Sequence, residues 1–239
     1  MALKIQAKNK TAEIWLYGDI GDSMWYESIS AKQFVDELKK AGAVSDIRIH
    51  INSPGGEVFD GLAIYNSLKS HPARVEVEIE GLAGSIASVI ALAGDTVKMA
   101  GNALYMIHNP WSFAFGEAKD FREAADRLDV VRGSLLNTYL ASVSGSSTSD
   151  QVSAWMDAET WFTAAEARDH GFIDEIIHDV AIAAKHDLRR YKYKNIHPLA
   201  KKTIMMPQDV AIRSKLAKMN MLMMKRNSLK ANIAMAQVA

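Results

Sequence analysis

Three short stretches hold the residues best suited to chemistry. Within GLAGSIASVIALAGD (residues 81–95), Ser85 places a hydroxyl beside Gly84, among small and apolar residues. A serine is a weak nucleophile until a neighbouring base takes its proton. At a strand-to-helix turn it is exposed, and free backbone N–H groups and the positive helix end point at the same place. Met106-Ile107-His108-Asn109-Pro110 sets a histidine at the end of an apolar strand, before a proline turn. From there it can project into a cleft and act as general base, given a carboxylate to orient it. Asn52-Ser53-Pro54-Gly55-Gly56 follows another strand. Its glycines permit unusual backbone angles and close approach to a ligand. Their N–H groups could form half of an oxyanion hole, with the N–H of the residue after Ser85 as the other half. Each stretch alone has a plain alternative: a tight helix crossing, a loop histidine, an ordinary turn. The other histidines (His50, His71, His170, His178, His186 and His197) lack a comparable setting.

The elements that must position these groups follow from local patterns. Ala12 to Tyr17, Asp46 to Ile51, Val75 to Glu80, Thr96 to Met99, Ala103 to Ile107 and Ile173 to Ile177 read as strands. Ser30 caps a helix over Ala31–Lys40 whose apolar face is Phe34, Val35 and Leu38, and Gly42 ends it. Helices are also expected over Val58–Lys69, after Ser85, from Glu117 to Val143, from Gln151 to Met156 (capped at Ser149-Asp150) and from Ala164 to His170. Alternating strands and helices predict an α/β domain with mostly parallel pairing.

Composition narrows the function classes. The 239 residues contain no cysteine, which excludes disulfides, thiolate metal sites and a cysteine nucleophile. No apolar run reaches the ~20 residues of a membrane span, and MALKIQAKNK lacks a signal-peptide core. A soluble, cytoplasmic protein is the expectation. Net charge is zero but uneven: from Lys185 onward there are 13 Lys/Arg against two Asp/Glu, together with seven of the 12 methionines. An acidic body of residues 1–180 joined to a basic, Met-rich extension of residues 181–239 is therefore expected. The run Leu188 to Lys194 (LRRYKYK) and a helical pattern from Gln208 to about Ala234 lie in that extension, which could bind a partner, anionic lipid or nucleic acid, or stay solvated.

INSPGG, then GLAGSIAS, then MIHNP, in that order and spacing, resemble the Clp peptidase family over roughly residues 12–178. Members carry a Ser-Pro-Gly-Gly loop, a Gly-x-Ala-x-Ser-x-Ala turn and a Met-Ile-His-x-Pro segment, and ETWFTAAEA with GFID resembles their last helix and strand. The resemblance implies a crotonase-like α/β fold of repeated β-β-α units with a protruding handle helix and, here, a C-terminal extension. It implies a serine endopeptidase with Ser85 as nucleophile, His108 as base, and Gly56 and Ile86 as oxyanion-hole donors. The family's aspartate position falls on Glu159, with Asp157 two residues earlier as the alternative acid. No metal or cofactor is implied. Polypeptide substrates and a homo-oligomeric, heptameric ring, with two rings stacked as an extension of that idea, are implied as well. The short segment before Ala12 leaves coupling to an ATPase partner open. The extra C-terminal sequence looks more like the phage and prophage head-maturation branch. Competing readings are a crotonase-type acyl-coenzyme A enzyme, a membrane-associated Ser–Lys peptidase, and a non-catalytic ring or scaffold protein.

Overall fold

In the computed structural model, residues 3–22, 28–143, 147–179, 188–191, 193–198 and 200 are described. The chain divides into one compact unit, Met1–Lys201, and a second, Lys202–Ala239. The helical pattern expected over 208–234 lies outside the described residues.

The first hairpin joins β1 (Leu3–Lys8) to β2 (Thr11–Tyr17) in antiparallel register. Asn9 and Lys10 make its two-residue turn, both at positive φ (50° and 66°), as a hairpin turn that matches strand twist requires. The short parallel pair β3 (Asp19–Ile20) and β4 (Ser28–Ile29) follows. Ser30 then caps α1 (Ala31–Lys40) by accepting from the Gln33 N–H. Phe34 and Leu38 face inward, and Lys39 and Lys40 sit at the negative helix end. Burial of Phe34 alone contributes about 2–3 kcal/mol.

Parallel pairing dominates from there. Next to β2 runs β5 (Asp46–Ser53), followed by α2 (Val58–Lys69) and β6 (Arg74–Gly84). α3 (Ile86–Ala91), β7 (Thr96–Ala100) and β8 (Leu104–Ile107) come next. β6 is 11 residues long because its edge away from β5 serves two partners. Glu76–Ile79 pairs with β7, and Leu82–Gly84 pairs with β8. The sheet therefore splits at the end of β6, immediately before Ser85. β8 also pairs antiparallel with β9 (Thr160–Thr163), and β10 (Glu175–Ile177) closes the far edge on β7.

α4 (Ala118–Ser142) spans 25 residues, about 37 Å at 1.5 Å per residue. Its C-terminal part packs inward through Leu135 and Tyr139, whereas Phe121 and Val130 are exposed. The helix starts at a capping box formed by Glu117 and Asp120. α5 (Ser149–Ala158) is capped by Thr148, not by the expected Ser149-Asp150, because Thr148 and Gln151 bond each other's backbone N–H. α6 (Ala164–Asp169) is the last described α-helix, and a 3-10 turn follows at Leu188–Arg190. Among the described residues, no helix is long and apolar enough to cross a membrane.

Candidate active site

The end of β6 and the start of α3 leave one residue, Ser85, to make the turn. Its φ of 54° and ψ of −128° are rare for a residue with a side chain, a strain of the kind held at functional turns. Its N–H donates to the Met106 carbonyl at 2.9 Å, tying the turn to β8. Its carbonyl accepts from the Ser88 hydroxyl at 2.5 Å and from the Ser88 N–H at 2.9 Å. Ser88 in turn meets the Tyr139 hydroxyl at 2.7 Å, and the Tyr105 hydroxyl donates to the Ser88 carbonyl at 2.7 Å. Both tyrosines are buried, and burial raises their hydroxyl pKa values. They remain neutral hydrogen-bonding braces behind the turn.

β8 ends at Ile107, and the next residue, His108, reaches back across the turn. Its Nε2 lies 2.8 Å from Ser85 Oγ, the distance a general base needs. Burial pushes the His108 pKa below its usual value, Glu159 opposes that shift, and Lys194 adds to it. The imidazole is thus held in the neutral form that can accept a proton near neutral pH.

Gly55 and Gly56 sit against this pair because of how Ile20 binds their loop. Ile20 N–H donates to the Gly55 carbonyl, and Glu57 N–H donates to the Ile20 carbonyl, each at 2.9 Å. In such a parallel bridge the N–H of the bracketed residue, Gly56, points away from β3. Added Cβ atoms would fall 2.1 Å from the Ile20 carbonyl oxygen at Gly56 and 2.6 Å from the Gly84 carbonyl oxygen at Gly55. Only glycine lets the loop close on the serine turn. The Ser53 hydroxyl steadies the loop, donating to the Gly18 carbonyl at 2.6 Å and accepting from Gly55 N–H at 3.1 Å. Ile86, first residue of α3, carries an N–H with no intrahelical acceptor. Gly61 in α2 faces Ile86 so closely that a Cβ would lie 2.1 Å from its side chain.

The two candidate acids differ in setting. Glu159 ends α5 in the left-handed region (φ 51°) and is 7 % exposed. Its Oε2 accepts from Lys194 N–H at 2.8 Å, and its Oε1 from Asn195 N–H at 2.7 Å and Trp161 Nε1 at 3.4 Å. It stands close enough to His108 to raise that residue's pKa, although among the described residues no hydrogen bond joins the two. Asp157 is exposed and committed elsewhere: its Oδ1 accepts from Asn109 Nδ2 at 2.7 Å and Arg132 Nη2 at 2.9 Å. Those two bonds hold its pKa down, and the cluster clamps the loop that follows His108.

A cleft of about 580 Å³ opens over the pair, lined by Gly56, Ser85, His108, Trp111, Phe113 and Tyr193 among others. Tyr193, not singled out from the sequence, comes from LRRYKYK, the basic-aromatic run expected in the extension. Other histidines have structural settings: His71 accepts from Ala73 N–H, His170 packs on Trp155, and His50 stacks on Trp15. His50, Glu78 and Glu80 form a group with metal-ligand spacing, next to the cations Arg48 and Lys98, which pair with Glu76.

The fold and this site together define a crotonase-like α/β protein with a serine–histidine pair at the end of a split sheet. The Clp protease family profile matches residues 3–180. The ATP-dependent Clp protease proteolytic subunit of Bacteroides fragilis (strain ATCC 25285) is 39 % identical over 134 residues, covering 55 % of this chain and 64 % of that relative, just under two thirds of its length. The same-named subunit of Streptococcus pneumoniae (strain 70585) is 36 % identical over 168 residues, covering 69 % of this chain and 83 % of the relative. A solved structure, that of a ClpP1 mutant from Listeria monocytogenes, superposes with a TM-score of 0.60 at 25 % identity, covering 70 % of this chain and 91 % of that one. The chain belongs to the Clp protease family.

Proposed function

We propose that this chain is a serine endopeptidase in which Ser85 attacks the scissile carbonyl while His108 Nε2 takes its proton. The observation that carries this reading is the 2.8 Å approach of His108 Nε2 to Ser85 Oγ on a strained turn. The carbonyl oxygen becomes an oxyanion between the Gly56 and Ile86 N–H groups, aided by the positive end of α3. His108 then protonates the leaving amine, and the acyl group stays on Ser85. Water, deprotonated by the same imidazole, releases the acid product and regenerates the hydroxyl. Glu159 is the acid of this triad: it is buried and stabilises the imidazolium form of His108. Asp157 clamps the loop after His108.

We further propose a ring of copies as the working form. Phe113, Phe115, Phe121 and Val130 are 53–89 % exposed at and before the projecting half of α4, an apolar surface that contact between copies would cover. The basic, Met-rich sequence from Lys185 onward supports phage-head maturation as the biological setting. Ser85→Ala should abolish hydrolysis of a fluorogenic peptide and labelling by a fluorophosphonate. Hydrolysis retained by that variant overturns the assignment.

A further inference from the structure

Glu159 raises a physical question. A glutamate has three side-chain torsions, so a carboxylate meant to steer an imidazole must be held by something else. Its neighbours on α5 and β9 offer little: the one side-chain donor among them, Trp161 Nε1, is distant at 3.4 Å. Both oxygens are instead held by backbone donors from beyond the matched family region, at 2.7 and 2.8 Å. Other described residues of the same segment are anchored as well. Leu188 is buried. Arg190 Nη2 and the Tyr191 hydroxyl both bind Asp19, the ion pair at 2.5 Å. Asn195 Nδ2 donates to the Ala158 carbonyl at 2.7 Å. Tyr193 lies between these anchors. Its hydroxyl donates to the Pro54 carbonyl, and its ring stands edge-on to His108 and to Trp161, each at 5.5 Å between centroids.

We infer that residues 188–191 and 193–195 form a strap that completes the catalytic site: the Lys194 and Asn195 N–H groups are positioning donors for the Glu159 carboxylate, and Tyr193 walls the cleft beside His108. This inference rests on the proposed peptidase reading. The strap acts as a wall and does not plug the site, because the cleft keeps its volume of about 580 Å³ with the strap in place and Ser85 still lines it. It also links the two halves of the machinery, since it touches the loop of Gly55 and Gly56 through Pro54 and the acid through its backbone.

The test uses the full chain. Wild-type Ser85 is first labelled with a fluorophosphonate, and then kcat and KM for a fluorogenic peptide are compared across variants whose melting and native mass match wild type. Asn195→Pro, which deletes one donor, should lower kcat about tenfold with KM little changed, the worth of one hydrogen bond to a charged group. Added to Glu159→Gln, it should lower kcat less than twofold, because its effect runs through that carboxylate. Tyr193→Ala, which leaves both backbone donors in place, should slow labelling of Ser85 several-fold, and it decides the question should the proline variant not fold. Unchanged activity in the folded variants, equal effects of Asn195→Pro in both backgrounds, or faster hydrolysis would each overturn the strap. An unlabelled wild-type Ser85 would overturn the peptidase reading and the strap with it. Labelled wild type with indifferent variants would overturn the strap alone.

Discussion

Replacing Gly55 with alanine separates the two halves of the site by a calculable amount. Gly55 has φ +94°, and an added Cβ would lie 2.6 Å from both the Gly84 carbonyl oxygen and Ser85 Cβ. That is about 0.8 Å short of the 3.4 Å at which ordinary contact begins. Neither neighbour can yield cheaply, since one is backbone and the other belongs to a turn pinned by Met106 and Ser88. The loop must retreat, carrying the Gly56 N–H from the oxyanion position proposed for it. A misplacement near 1 Å costs on the order of 100-fold in rate, and the left-handed alanine adds about 1–2 kcal/mol of strain. Peptide hydrolysis should therefore fall at least 100-fold while thermal melting drops only a few degrees. Gly42→Ala is the matched control, with φ +75° but nothing within 4 Å of the new Cβ. It should lose about 1 kcal/mol of stability and none of its activity. Wild-type kcat/KM in Gly55→Ala would show that the Gly55-Gly56 loop does not depend on this close approach.

Other perturbations test other parts of the account. Glu159→Gln should reduce kcat at least 100-fold by removing the charge that favours imidazolium, whereas Asp157→Asn should change kcat less than about fivefold; a reversed order, measured on the same peptide, would reassign the acid. The acid limb of kcat/KM against pH should lie below 6.5, the ordinary histidine value, because burial lowers the His108 pKa and only its neutral form accepts the proton; a limb above 6.5 would contradict this. Tyr139→Phe should cost about 1–2 kcal/mol in denaturant unfolding, since Ser88 Oγ loses a partner 2.7 Å away in the core.

Much of this architecture is legible in the amino-acid sequence alone. Ser30 and the Phe34/Leu38 face define α1 because capping and periodicity are local properties. Ser85, His108 and the Gly55-Gly56 loop each read as following a strand, and their convergence is implied by the resemblance of the three motifs to one family. The extent of β6 is less readable: Val75 to Glu80 alternates, but Gly81–Gly84 carries no alternating side chains, and its strand conformation comes from pairing with β8. β1 escapes notice because its turn uses Lys10 at φ 66°, where sequence patterns call for glycine or asparagine. Contacts between Glu159 and Asn195 span 36 residues with no periodicity, so a basic-aromatic run reads as part of a tail when its aromatic ring stands beside His108.

The most direct measurement is the rate of fluorophosphonate labelling in wild type and in His108→Ala, with the modified residue located by peptide mapping. Labelling should fall on Ser85 and slow by at least 1,000-fold without the imidazole. Labelling elsewhere in the chain, or an unchanged rate at Ser85 without His108, would contradict the proposed roles of Ser85 and His108.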